Sequence, residues 1–464
     1  MRIFRPFSRY EKTLIALFLA TLPSVQPQIR LDGLSYYAVA RSLIVDHNLQ
    51  FRGDWTDPAA VPSMNGKDFY GRTVAVHVTR TGHLPMHSAV GPAILWAPFI
   101  AATHVTVLLL DLTGARIPAD GFSKPYVLTL AGATCLYALI GLLISLRLAR
   151  AFVEERWAFL ATLALWLGSA LPAYIYVDPA WSHALSVFVV AVFLWYWLRT
   201  RAFRAPRQWL ILGLIAGLMS EVYFPNAVFV LILLFESHRA ADRDNDVPGP
   251  PRRVVGYSLC AIGMLLALLP TFVIRSVLFG NPFALGAYGE RGWNWAHPAL
   301  MQVLFSPSQG LFTTHPVLIP AVFGLFLWLR RDVQIGRALI AAFLVFAVVI
   351  ATYPMWNLGP TFGNRYFISF TTPFILGLSL ALSEMAKRWS NAAGFTRRAW
   401  VTAVLLIVWN IGLVFQWGTG LMPDVGHIYW QEVIYNEFRI VPGQAWQAVQ
   451  ARFSSRVDRA REAA

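Results

Sequence analysis

The sequence predicts an all-α polytopic membrane protein, with about eleven transmembrane helices plus one interfacial or re-entrant helix. Three observations predict it. Hydrophobic residues fill 57% of the 464 positions and charged residues only 13%, against about 25% charged in soluble domains. Apolar stretches recur at 11–27, 88–111, 125–148, 158–177, 181–199, 208–236, 254–279, 314–329, 338–356, 365–386 and 399–417. The basic residues between them are clustered, so the net charge of +14 reads as cytoplasmic loops beside anionic lipid and not as a nucleic-acid surface. Cys135 and Cys260 each lie inside an apolar run, which argues against a disulfide framework or a thiolate metal site.

The first run follows Arg2, Arg5, Arg9 and Lys12. It resembles a signal sequence but lacks a small-x-small cleavage site, so it is predicted to remain as the first span, with the amino terminus cytoplasmic. Residues 28–87 then lie outside. If 88–111 crossed, Arg147, Arg150, Arg156, Arg199, Arg201, Arg204 and Arg207 would fall on the outer side, against the positive-inside tendency. The stretch is therefore predicted not to cross, with Gly91, Pro92, Pro98 and His104 interrupting it. By the same reasoning 208–236 is a hairpin of two short helices, turning at Ser220-Glu221-Val222-Tyr223-Phe224-Pro225-Asn226. Each arm is shorter than the roughly 20 residues a bilayer needs, so burial or local thinning must compensate. The clusters around Arg252, Arg330, Arg337, Lys387 and Arg397 then all fall inside.

This topology gathers several polar groups on the outer side. Asp32 opens the amphipathic stretch Asp32-Gly33-Leu34-Ser35-Tyr36-Tyr37 at the exit of the first span. The other acids of 28–87 (Asp46, Asp54, Asp57, Asp68) read as solvated, and His77, His83 and His87 lie nearby. Asp178 precedes Pro179, where it could equally cap the following helix. Glu221 sits at the hairpin turn. The 280–313 loop is rich in Trp, Tyr and Asn, which suits carbohydrate as well as it suits an interfacial aromatic belt. The turn Trp356-Asn357-Leu358-Gly359-Pro360-Thr361-Phe362-Gly363-Asn364-Arg365-Tyr366 ends in a guanidinium able to grip a lipid phosphate or to snorkel to headgroups. Arg275 is a second candidate for that phosphate.

Several of these stretches together resemble the GT-C superfamily of polyprenyl-phosphate-sugar-dependent glycosyltransferases, in the bacterial family 39-like branch of protein O-mannosyltransferase and lipid A aminoarabinose transferase relatives. Asp32 to Leu43 is similar to the family's first-loop acidic motif, and His87-Ser88-Ala89-Val90-Gly91-Pro92 to its His/Pro-rich segment. Asp178-Pro179 resembles the second outer-loop acid. The hairpin from Gly213 to Pro225, the segment Leu304 to Pro316, and Gly363-Asn364-Arg365-Tyr366 complete the likeness. The family often has a second acid after the first; Gly33 stands there in this chain.

The resemblance implies a catalytic membrane domain over 1–417, with a first periplasmic loop at 28–124, a second at 280–313 and a short periplasmic tail at 418–464. It implies a multi-pass protein of the bacterial inner membrane whose site faces the periplasm. The implied reaction moves a sugar from a polyprenyl monophosphate to an acceptor hydroxyl on a glycan, lipid or protein, with inversion. Phosphate leaves as a stable anion, so one base suffices. Asp32 is the expected base, with Arg365 and Arg275 on the lipid phosphate. Asp178, Glu221, Tyr36, Tyr37, His83, His87, Trp356, Asn364 and Tyr366 are the expected substrate-binding residues. No ligand cluster has recognisable metal spacing, so no cofactor is assigned and a divalent ion stays an open option. The alternative from another class is a transporter or flippase, for which inverted repeats and midplane polar breaks would be expected.

Overall fold

The computed structural model describes residues 6–30, 32–51, 79–236 apart from 85 and 87, 250–285, 292–423 apart from 358 and 360, and 428–450 apart from 449. His77, His87, Asp54, Asp57 and Asp68 lie outside the described residues. The chain is a helical bundle whose elements run between a basic end and a loop end.

The basic end is recognised by its ion pairs. Helix α1 (Arg9–Thr21) starts with a Ser8 capping box, and its fully buried Glu11 pairs with Arg147 and Arg150. Those arginines close α4 (Lys124–Ala149), and Arg150 also meets Glu155 at the start of α5 (Glu155–Leu167). Arg201, after α6 (Ser182–Thr200), pairs with Asp332, which caps α13 (Val333–Thr352) and follows α12 (Leu318–Arg331). Burying such charges is tolerable because each meets an opposite charge.

The 208–236 stretch folds as a hairpin. α7 (Pro206–Val222) leads away from the basic end, and a 3-10 helix (Phe224–Phe235) returns to it. The return is fixed by Glu236, which accepts from Trp197 Nε1 at 2.7 Å and pairs with Arg204 at 2.9 Å. α8 (Pro250–Ala267) then runs parallel to α7, with Gly213 on the Cys260 carbonyl and Gly217 on Met264. It continues, after a 47° bend, as α9 (Leu269–Phe279). The last spans are α13, the 3-10 turn Arg365–Phe370 with α14 (Thr371–Arg388), and α15 (Ala392–Gly418). Two short helices, α10 (Leu300–Phe305) and α11 (Leu311–Thr314), lie at the loop end. So does the tail helix α16 (Trp430–Arg439), packed on α15.

Among the described residues, six helical segments are long and apolar enough to cross a bilayer by length and composition, and the bent pair α8–α9 makes a seventh. Shorter segments (α1, α5, α7, the return arm and α12) run between the same two ends, which is the multi-pass architecture predicted. One expectation is corrected. Residues 91–111 are not interrupted: α3 (Gly91–Asp111) is one continuous helix, long enough to span. Pro92 occupies its first turn, where no amide partner is lost, and Pro98 is accommodated inside it. Its contacts with α4 lie on the half away from the basic end: Leu95 O accepts from Tyr137, Thr103 meets Thr129, and His104 meets Tyr126.

Candidate active site at the loop end

The centre of the site is built from three distant pieces of chain. The first is α2 (Asp32–Arg41), extended by a π turn at Ser42–Asp46. Asp32 sits in its first turn, where a negative charge complements the helix dipole. Gly33 is there because of close approach: a β-carbon would stand 2.7 Å from Ala180 Cβ. A side chain at 33, acidic or not, would push α2 off the 178–180 turn.

The second piece is that turn. After α5, the π turn Ala173–Val177 leads into Asp178. Asp178 is buried and accepts from Arg30 Nε at 2.6 Å. It does not cap α6, whose first residue is Ser182 and whose N-cap position is Trp181. Asp178 therefore ties down the 26–30 segment leading into α2. Gln26 N–H donating to Tyr176 O and Gln28 Nε2 donating to Val177 O continue the seam.

The third piece is the Gly363-Asn364-Arg365 turn. Arg365 is only 8% exposed. Its Nη2 donates to Asp32 Oδ2 at 3.2 Å, while its guanidinium lies 4.3 Å above the Trp181 ring. Arg365 Nε and Nη1 have no hydrogen-bond partner among the described residues. Asp32, by contrast, has a side chain 54% exposed. One carboxylate open to solvent thus stands against one nearly desolvated cation with donors to spare.

Around this pair the walls are aromatic. Tyr36, one helical turn after Asp32, is buried, and burial pushes its phenol up to about 12; the Asp32 charge adds to the effect, while Ser182 and Arg365 oppose it. Tyr36 is therefore a donor at neutral pH. Tyr366 stacks on Tyr223 with ring centroids 6.1 Å apart, and buried His183 packs edge-on to Tyr174 and Tyr223. Asn364 is buried and donates to Val303 O at 3.2 Å. Trp356 follows α13, and nearby Met355 O accepts from Tyr366 Oη.

Other expected residues lie elsewhere. Glu221 is fully buried, and its two oxygens accept from Thr271 N–H and from Thr271 Oγ1 at 3.2 and 2.5 Å. It caps the first turn of α9 at the bend. Arg275 donates to Ala284 O and lies over Phe224, in the same α7–α9 corner. His83 bonds to Thr81, whose hydroxyl reaches Leu278 O beside α9. Tyr37 donates to Gly121 O and so anchors α2 to the start of α4. Sequence reasoning missed Trp181, His183 and Tyr174. The aromatic density of 174–183 was a signal, but an interfacial belt has the same composition. Among the described residues no three His, Cys, Asp or Glu side chains gather as metal ligands.

Fold and site together define a multi-pass, all-helical membrane protein with an acid–guanidinium pair among aromatic walls at one end of the bundle. No protein-family model and no curated protein sequence matches the chain. Among solved structures, it is similar to the crystal structure of ArnT from Cupriavidus metallidurans bound to undecaprenyl phosphate. The two share 13% identity, with 89% of this chain and 73% of that one covered and a TM-score of 0.49.

Proposed function

We propose that the protein is a membrane glycosyltransferase that moves a sugar from a polyprenyl monophosphate to an acceptor hydroxyl, with inversion at the anomeric carbon. The observation that carries the reading is the pairing of a half-exposed Asp32 with a desolvated Arg365. The order of motifs resembling the GT-C glycosyltransferases supports it.

In this reading the acceptor oxygen attacks the anomeric carbon from the face opposite the phosphate. The new C–O bond forms as the old one breaks, and the phosphate leaves with the electron pair. Asp32 takes the acceptor proton, and no general acid is needed for a leaving group that is already a stable anion. Arg365 compensates the charge growing on the phosphate; its planar fork keeps unpaired N–H groups for that purpose, and the dry aromatic wall strengthens the interaction. Trp181 and Tyr366 keep the guanidinium flat and in place. Tyr36, protonated, is a donor for a sugar or acceptor hydroxyl. Asp178 serves as a positioning residue through Arg30, and Glu221 and Arg275 serve the α7–α9 corner. The site faces the periplasm of a bacterial inner membrane, where lipid-linked donor can enter sideways from the bilayer.

The test is transfer from purified polyprenyl-phosphate sugars by detergent-solubilised protein, comparing wild type with Asp32→Asn. Loss of transfer with retained folding supports the reading. An Asp32→Asn variant as active as wild type removes the base, and an inactive wild type across the common lipid-linked sugars removes the donor class.

A further inference from the structure

We infer that His315, locked by Asn410, is a positioning residue that sets the backbone turn carrying Arg365 to Asp32. The functional consequence rests on the transferase reading; the geometric part does not.

Asn410 lies in α15 and is buried. Its Nδ2 donates to Leu167 O at 2.8 Å and to Ser169 O at 2.7 Å. Both partners are carbonyls and can only accept, so the amide has one orientation and its Oδ1 is an acceptor. His315 Nδ1, 3.0 Å from that oxygen, must therefore carry the proton. The imidazole is thus held in a single tautomer, with Nε2 bearing a lone pair. That atom has no hydrogen-bond partner among the described residues.

Nε2 is directed at Gly363. A β-carbon on Gly363 would stand 2.2 Å from Nε2, 3.1 Å from Cε1 and 3.2 Å from Cδ2. Gly363 also has φ +56°, in the left-handed region. The neighbouring backbone is clamped as well. Tyr174 Oη donates to Phe362 O and accepts from Phe362 N–H, both at 3.2 Å, and Arg365 N–H donates to Gly363 O at 3.0 Å. Two residues past Gly363, Arg365 reaches Asp32. An apolar ring of similar size would fill the volume, but it would lack the hydrogen bond that fixes its rotation. This explains a fully buried histidine whose second nitrogen is left bare, a cost that a packing role alone would not carry.

The test uses the full-length protein with Asp32→Cys and Arg365→Cys introduced together, joined by a short bismaleimide; the native Cys135 and Cys260 are buried. Crosslinking rate reads the geometry without substrate, and undecaprenyl phosphate binding to the protein without the cysteine pair reads its consequence. Gly363→Ala is expected to lower both by about tenfold or more, since a misplacement near 1 Å can cost up to about 100-fold at a reacting site. Adding His315→Asn keeps a donor to Asn410 but removes the Nε2 end of the ring, and is expected to restore the part of the crosslinking and binding lost to the clash, while the strain of alanine at φ +56° remains. Equal loss with and without His315→Asn overturns the inference. If Gly363→Ala fails to fold, His315→Asn alone is expected to slow crosslinking about threefold, and an unchanged rate overturns it. Expected crosslinking behaviour with no undecaprenyl phosphate binding even in wild type leaves the positioning role standing and removes the donor reading.

Discussion

Asp32 and Arg365 are 333 residues apart in the chain, and their side chains meet at 3.2 Å. The contact is asymmetric: the carboxylate side chain is 54% exposed and the guanidinium side chain 10%. The exposed partner is open to solvent, while the buried partner keeps a permanent charge in a low-dielectric wall.

For this pair, Asp32→Asn is expected to reduce turnover by about 10²–10⁴-fold, the usual range for a general base. Donor affinity should change little, because the amide oxygen can still accept from Arg365. Arg365→Lys should instead weaken donor affinity by about tenfold or more, since an ammonium loses both the planar fork and the stacking on Trp181. Steady-state kinetics separates the two; equal effects on turnover and affinity from both variants would contradict the assigned roles.

Glu221 is expected to matter for stability. Its carboxylate takes both Thr271 donors at the α8–α9 bend, so Glu221→Ala strands a buried N–H and a buried hydroxyl. The cost should be about 2–3 kcal/mol, visible as a lower melting temperature in detergent. Activity per folded molecule should survive. A variant that melts normally but no longer transfers sugar would return Glu221 to the site.

The α7–α8 contact depends on a missing side chain. A β-carbon at Gly213 would lie 2.0 Å from the Cys260 carbonyl oxygen, and that oxygen belongs to backbone that cannot rotate away. Gly213→Ala gains helix propensity of about 1 kcal/mol but should lose more by forcing the helices apart, leaving a net destabilisation of about 1–2 kcal/mol. Thermal unfolding reads the sign.

Docking of the tail helix α16 should depend on pH. Burial against α15 raises the Glu437 carboxyl above its usual 4.5, with the Gln416 hydrogen bond opposing. A raised acid binds its proton more tightly in the docked state. Docking is therefore strongest below about 4.5 and weakens as pH rises from there through the raised value. Hydrogen exchange of 430–439 at several pH values measures this, and Glu437→Gln should flatten the profile.

The placement of the two ends can be checked by labelling single cysteines in intact cells. Arg331→Cys, at the basic end, should react only after the membrane is permeabilised, and Asn281→Cys should react from outside. The opposite pattern would invert the topology.

Much of the architecture was legible in the sequence because it follows from one-dimensional quantities. Apolar run length, the position of arginine clusters and a turn at Ser220–Asn226 together implied the return arm that Glu236 secures against Arg204. The continuity of α3 was not legible, since Pro92 and Pro98 look like breaks unless one knows that the first falls in the first turn and that the helix tolerates the second. Asp32 and Arg365 stood out as an acid and a cation beside span ends. Asp178, Glu221 and Arg275 stood out for the same reason, and the charge pattern could not tell which of them would share a site.

The sequence by itself determined a multi-pass helical membrane protein and a short roster of polar groups near span ends, because hydrophobic length and charge sign act locally along the chain. Only the tertiary structure decided that Asp32 meets Arg365, that Trp181 lies beneath the guanidinium, and that Glu221 caps the first turn of α9. Those outcomes depend on close approaches between distant parts of the chain, at Gly33 on Ala180 and at Gly363 on the His315 ring. Such contacts are set by the packing of the whole bundle, and neither residue type nor spacing along the chain records them.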